Sequence, residues 1–190
     1  LADCRHWMEH LRRQRPFALS EAEERLDNQK NLAGRDAFGR LFDEITSSFR
    51  FRMTVDGAER ELTGEEILAL LYEPDPELRA RAHAVFLGRH AENGLVLANV
   101  LNALLYDHRI ECELRGFPDV VTPTHLENEV RPQTVEAMMT ATERHYPLAQ
   151  DYYRLKADLL GLPRLRTSDV YAPLEATPQR VPFDDARALV

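Results

Sequence analysis

The segment Asp151–Leu174 constrains the fold most, because it places a helix, its stop signal and an extended exit side by side. Its apolar residues recur at helical spacing, namely Tyr152, Leu155, Leu159 and Leu160. Gly161 supplies a left-handed C-terminal cap, and Pro163 prevents simple continuation of the helix. Ser168–Leu174 is rich in β-forming and aromatic residues, which predicts an extended segment. The predicted helix therefore ends at Gly161, and an extended segment follows it.

Similar local signals divide the rest of the chain into helices. Ser20 and Thr63 each open a capping box, with glutamate three residues later, and Asp75 precedes a proline at a helix start. Apolar stripes at helical spacing follow these signals. They predict helices over about 3–15, from Ser20, over 37–45, from Thr63, over 76–115 as one helix or two, over 132–145 and over 147–160.

One stretch has the alternation of a strand instead. Phe49, Phe51, Met53 and Val55 alternate with polar residues as far as Asp56-Gly57, a pair that favours a tight hairpin turn. We therefore predict a β-hairpin over about 49–62, with a charged, exposed return strand. The predicted fold class is mainly α: one helical domain over 1–190 with one small β-hairpin.

Composition excludes several classes of protein. The net charge of −8 does not suit a sequence-independent grip on nucleic acid. No apolar run has membrane-spanning length, so we expect a soluble protein without a membrane partner. Cys4 and Cys112 are the two cysteines of the chain and lie far apart in sequence, which favours reduced thiols in the cytoplasm.

One short motif suggests metal chemistry. His6-Trp7-Met8-Glu9-His10 matches the inverted zinc motif H-x-x-E-H, in which histidines four residues apart reach one metal and the glutamate acts as base. Such a site needs a third protein ligand, and the sequence nominates none. We therefore expect a solvated amphipathic helix here, with the inverted zinc site as an alternative.

The remaining candidates have plain structural explanations. His83 and His90 are seven residues apart and could share a helix face, while His108, His125 and His145 are expected to face solvent or cap a helix. The cysteines lack C-x-x-C spacing. Asp169 and Tyr171 could line a cleft, but we expect one exposed face of a strand end, because side chains alternate in strands.

Several segments, in order, resemble the N-terminal region of oligoendopeptidase F-type zinc peptidases, which are similar to thimet oligopeptidase. They read LSEAEERL with GRDAFGRLFDEIT, LTGEEILALL, LANVLNALLYDHRIECELRGF, THLENEVRPQTVEAMM, YRLKADLLGL and SDVYAPL. The resemblance implies a mostly helical enzyme whose N-terminal helices and small sheet enclose short peptides above a zinc domain. It also implies zinc held by H-E-x-x-H and a downstream glutamate.

No H-E-x-x-H occurs between Leu1 and Val190. We therefore assign no catalytic or metal residue to this chain, and its substrate-binding residues remain unknown. The expected function is the N-terminal, substrate-enclosing part of a zinc endopeptidase acting on short peptides, inactive alone. Its partners would be those peptides and its own C-terminal catalytic domain, absent from this fragment, where the zinc binds. The alternative is a helical protein-interaction module without catalysis.

Overall fold

The computed structural model describes residues 4–174 and 182–189. Their helices are α1 (Arg5–Gln14), α2 (Glu21–Asn31), α3 (Arg35–Ser48), α4 (Gly64–Ala69), α5 (Pro76–Glu92), α6 (Gly94–Arg115), α7 (Thr122–Glu127), α8 (Pro132–Arg144), α9 (Tyr146–Leu159) and α10 (Phe183–Leu189). The strands are β1 (Phe51–Val55) and β2 (Ala58–Leu62). The predicted fold class, mainly α with one hairpin, is confirmed.

Local signals place the element boundaries closely. The capping boxes at Ser20 and Thr63 both form, each hydroxyl accepting from the backbone N–H three residues on. Asp56 and Gly57 both take positive φ, 52° and 77°, and pair Val55 with Ala58 across the hairpin turn. These features depend on neighbours in sequence, and for that reason the sequence predicts them well.

The chain groups into two compact units, whereas the sequence predicts one domain. Unit 1 comprises Leu1–Phe49 and His90–Pro147. In unit 1, α3 packs along α6. Val100 and Cys112 of α6 are buried, and so is Phe49. The region predicted over 76–115 as one helix or two forms two helices, and α6 begins at Gly94.

Unit 2 comprises Arg50–Arg89 and Leu148–Val190. Its core joins one face of the hairpin to the helices that follow it, through Phe51, Met53, Val55, Ile67, Leu71, Leu78 and Ala82. The ring of Phe51 stacks on Phe86 of α5, with 5.5 Å between centroids. The alternating burial of β1 follows from the period-2 geometry of a strand with one covered face.

The extended segment predicted over Ser168–Leu174 is wrong. The chain forms a 3₁₀ turn at Thr167–Asp169 and continues as a turn through Tyr171. The β-forming composition was outweighed by the side chain of Asp169, which accepts a hydrogen bond from the backbone N–H of Arg166 and so closes the turn.

Candidate functional site

Unit 2 is organised around a fully buried ion pair between α5 and the 3₁₀ turn. Asp169 is 0% exposed and Arg79 is 1% exposed. Arg79 donates from Nη2 and Nε to one carboxylate oxygen, Oδ1 of Asp169, at 2.8 and 3.2 Å. Its Nη1 donates to the backbone carbonyls of Glu73 and Pro74, both at 2.7 Å. One guanidinium therefore joins two separate segments of the chain.

The second carboxylate oxygen of Asp169 is also satisfied. Oδ2 accepts from the backbone N–H and from Nε of Arg166, each at 3.1 Å. Burial alone would raise the pKa of Asp169, but the hydrogen bonds from Arg79 and Arg166 outweigh it and hold the pKa below its ordinary value. Lys156 of α9 adds a hydrogen bond to the carbonyl of Val170 at 2.7 Å. The turn is thus anchored by charged groups.

This arrangement corrects the expectation for Asp169 and Tyr171. They do not share an exposed face, because Asp169 is buried whereas Tyr171 is 54% exposed. The ring of Tyr171 stacks on Tyr72, with 5.1 Å between centroids and 28° between planes. Sequence reasoning missed the partner Arg79, which lies 90 residues from Asp169 and carries no local signal.

Unit 1 has its own charged cluster, centred on Arg115 at the end of α6. Arg115 donates to both carboxylate oxygens of Glu24 at 2.7 and 3.1 Å, to Asp27 at 3.3 Å and to Glu111 at 3.1 Å. Arg35 donates to the other oxygen of Glu111 at 2.8 Å. The hydrogen bond from Arg115 holds the pKa of Glu24 below its usual range, and Glu24 in turn raises the pKa of Arg115.

A cavity of about 480 Å³ opens beside this cluster. Its walls include Arg35 and Arg115 together with the rings of Phe17 and Phe117, which stack at 4.4 Å between centroids. The exposed carboxylate of Glu127 also lines it. The arginines are already paired with carboxylates, so the cavity combines apolar rings with neutralised charges and does not suit a free anion.

His108 and Cys112 meet near this cavity but do not form a nucleophile and base. Nε2 of His108 lies 2.7 Å from the carbonyl of Val120, which needs a donor, and 3.7 Å from Sγ of Cys112. With that nitrogen donating, the ring cannot take the thiol proton there. Burial and the neighbouring carboxylates Glu111 and Asp119 raise the pKa of the Cys112 thiol. A protonated, buried thiol is a structural residue.

The structure supplies the third candidate ligand that the inverted zinc motif lacked in sequence. Glu129 contacts Nε2 of His6 with one carboxylate oxygen, and its other oxygen lies 3.5 Å from Nδ1 of His10. His6 is a hydrogen-bond partner of this carboxylate, whereas His10 lies beside it without a hydrogen bond to it among the described residues. Within residues 4–174 and 182–189, no cluster of three or more histidine, cysteine or acidic side chains is arranged to hold a metal ion.

The other candidates lie apart from these clusters. The ring of His90 packs edge-on against the ring of Phe49, with 5.1 Å between centroids, and His83 is half-buried on α5. His145 caps α8, as expected, and hydrogen-bonds the carbonyl of Ala141 at 2.6 Å. Cys4 is an exposed free thiol.

Comparison with known proteins confirms the resemblance predicted from the ordered segments. A family model described as "Oligopeptidase F" matches residues 1–51. The chain is 23% identical over 188 residues to Group B oligopeptidase PepB of Streptococcus agalactiae, covering 95% of this chain and 30% of the relative. It is 22% identical over 190 residues to the oligoendopeptidase F homolog of Lactococcus lactis, again covering 95% and 30%. The chain thus spans less than a third of the length of these relatives.

Solved structures share the fold. A Chlamydophila abortus protein superposes with a TM-score of 0.85 at 20% identity, over 100% of this chain and 32% of that one. Oligoendopeptidase-F from Enterococcus faecium superposes with a TM-score of 0.80 at 20% identity, over 92% of this chain and 35% of that one. The chain therefore has the fold of the N-terminal part of larger peptidases. Among the described residues, none of the helices is long and apolar enough to cross a membrane.

Proposed function

From the similarity to the N-terminal region of oligoendopeptidase F-type peptidases, we propose that this chain is the substrate-enclosing part of a zinc-dependent endopeptidase that hydrolyses short peptides. The observation that carries the proposal is the extent of the similarity, 95% of this chain against 30% of PepB. The role left to such a region is to bind and orient peptides. Its charged clusters, Arg79 with Asp169 and Arg115 with Glu24, pair opposite charges internally and would support a rigid binding surface.

The proposal assigns the metal to another part of the enzyme. Zinc held by an H-E-x-x-H region outside residues 1–190 would polarise the scissile carbonyl and lower the pKa of a bound water. The residues described here would hold the peptide and exclude water around it. Two free cysteines, Cys4 and Cys112, support the further proposal that the enzyme works in the reducing cytoplasm.

The experiment begins with the gene. We expect the reading frame to continue past the codon for Val190 into an H-E-x-x-H sequence, and the whole product to cleave short peptides in a chelator-sensitive way. Residues 1–190 alone should bind such peptides without turning them over. Chelator-sensitive turnover by the 190-residue chain would contradict the proposal.

A second candidate function is a helical interaction module without catalysis. It is favoured by the apolar stripe of α9, which is exposed at Leu148, Tyr152, Leu155 and Leu159. A reading frame that ends near Val190 would support this candidate and remove the first. Continuation into an H-E-x-x-H sequence would remove the second.

A further inference from the structure

Unit 2 carries a pair of exposed aromatic rings that its core does not use. Tyr72 and Tyr171, which we call the tyrosine platform, stack at 5.1 Å between centroids and are 60% and 54% exposed. Two adjoining aromatic side chains left in water form an apolar surface of the kind found where proteins bind ligands. Their stacking also spares the entropy of ordering each ring on binding.

The buried ion pair between Arg79 and Asp169 holds this platform in place. Tyr72 ends a 3₁₀ turn at Leu70–Tyr72 and is followed directly by Glu73 and Pro74, whose carbonyls accept from Arg79. Tyr171 stands two residues after Asp169, whose carboxylate accepts from the same guanidinium. Arg79 therefore ties together the two backbone segments that carry the rings, and the platform is fixed before any ligand arrives.

The surroundings of the platform are apolar and acidic. Glu65, Leu68 and Tyr72 follow one another along one side of the helical segment, at spacings of three and four residues. Glu65 is exposed, and so is Glu73, which follows Tyr72 directly in sequence. Neither carboxylate has an ion-pair partner among the residues that the structure describes. The ligand that complements flat rings beside free carboxylates is a cation with an apolar stem.

We propose that the tyrosine platform binds the side chain of an arginine in a peptide, with Glu65 and Glu73 supplying the opposite charge. A planar guanidinium stacks on aromatic faces and pairs with carboxylates, whereas a lysine ammonium is a compact and strongly hydrated charge. This inference rests on the proposed function, since it names the class of peptide that the enclosing region prefers.

The test is the affinity of the 190-residue chain for fluorescein-labelled heptapeptides, measured by fluorescence polarisation. The first peptide has a single central arginine among alanines. The second has citrulline at that position, which keeps the shape of arginine without its charge, and the third has proline there. We expect the arginine peptide to bind about threefold to tenfold more tightly than the citrulline peptide, the range for exposed cation–π and ion-pair contacts. The Tyr72→Leu/Tyr171→Leu variant should lose this preference, and Glu65→Gln/Glu73→Gln should weaken it.

The matched control is Tyr153→Leu, because that ring is also exposed in unit 2, lies outside the α9 stripe, and is next to Asp151 and Arg154, which neutralise each other. It should keep the arginine preference, and circular dichroism should show every variant folded.

Four results overturn the inference: equal binding of arginine and citrulline, tighter binding of proline, a preference that survives in the platform variant, and no binding of any peptide. In the whole enzyme, the platform variant could also lose activity equally on peptides with and without arginine. That result would overturn the inference and show that another part of the longer protein covers the rings. Chelator-sensitive hydrolysis by the whole gene product decides separately whether the proposed function stands.

Discussion

Arg79 shows what a single buried residue contributes to this fold. Its guanidinium reaches Asp169 and two backbone carbonyls, so that each of its three nitrogens donates, and both carboxylate oxygens of Asp169 accept. Lysine could not replace it, because an ammonium on a flexible stem lacks the planar fork that spans these acceptors. The attraction between the two buried charges is largely offset by the free-energy cost of removing them from water. Loss of either partner, however, leaves the other charge unpaired in an apolar environment.

We predict that Asp169→Asn lowers the free energy of unfolding by about 3–5 kcal/mol at neutral pH, since it leaves the Arg79 charge buried without its carboxylate. Urea denaturation followed by circular dichroism measures this change. The matched control is Asp151→Asn, which removes an exposed pair with Arg154 and should cost less than about 1 kcal/mol. If the two variants lost the same amount of unfolding free energy, the assignment of Asp169 as a buried anchor would be contradicted.

The same residue predicts a pH dependence. The folded pKa of Asp169 lies below the ordinary aspartate value of about 3.9, so its contribution is complete above that pH and is lost as pH falls through the folded value. The gap in unfolding free energy between the wild-type chain and Asp169→Asn should therefore narrow below about pH 3.9. Urea titrations of both proteins across that range measure it. A gap that stays constant well into the acid range would show that charge does not explain the stabilisation.

Among the helices, α9 has an amphipathic sequence pattern, but its apolar face is not buried. Its stripe of Leu148, Tyr152, Leu155 and Leu159 has the spacing of a core-facing helix, yet all four side chains are exposed. The helix is held to unit 2 by other residues, including buried Lys156 and Ala157. The period of apolar residues predicts that a helix forms, and it does not identify what covers the apolar face.

We predict that Leu155→Ala changes the free energy of unfolding by less than about 1 kcal/mol, because little apolar area is removed from a buried environment. Ile67→Ala in α4 should cost about 2–5 kcal/mol, since Ile67 is 1% exposed and leaves a cavity. Thermal and urea denaturation of the two variants make the comparison. A large loss for Leu155→Ala would mean that the stripe is buried in this chain.

At the scale of the whole molecule, the question is where any metal lies. His6 is hydrogen-bonded to Glu129, and Nδ1 of His10 lies 3.5 Å from the other oxygen of the same carboxylate, within unit 1. After dialysis against metal-free buffer, elemental analysis should therefore find zinc well below one per chain in residues 1–190. Near-stoichiometric zinc that disappears in His6→Ala/His10→Ala would overturn this prediction and place a metal site within the chain.

Features that depend on near neighbours could be predicted from the amino-acid order alone: the helices, the capping boxes at Ser20 and Thr63, and the hairpin turn at Asp56-Gly57. The ordered segments of the sequence also determined the resemblance to oligoendopeptidase F-type peptidases. Only the tertiary structure paired Arg79 with Asp169, and it left the stripe of α9 exposed. The reason is physical. Caps and turns satisfy hydrogen bonds within a few residues, whereas burial of a charge or an apolar face depends on which distant segment packs against it.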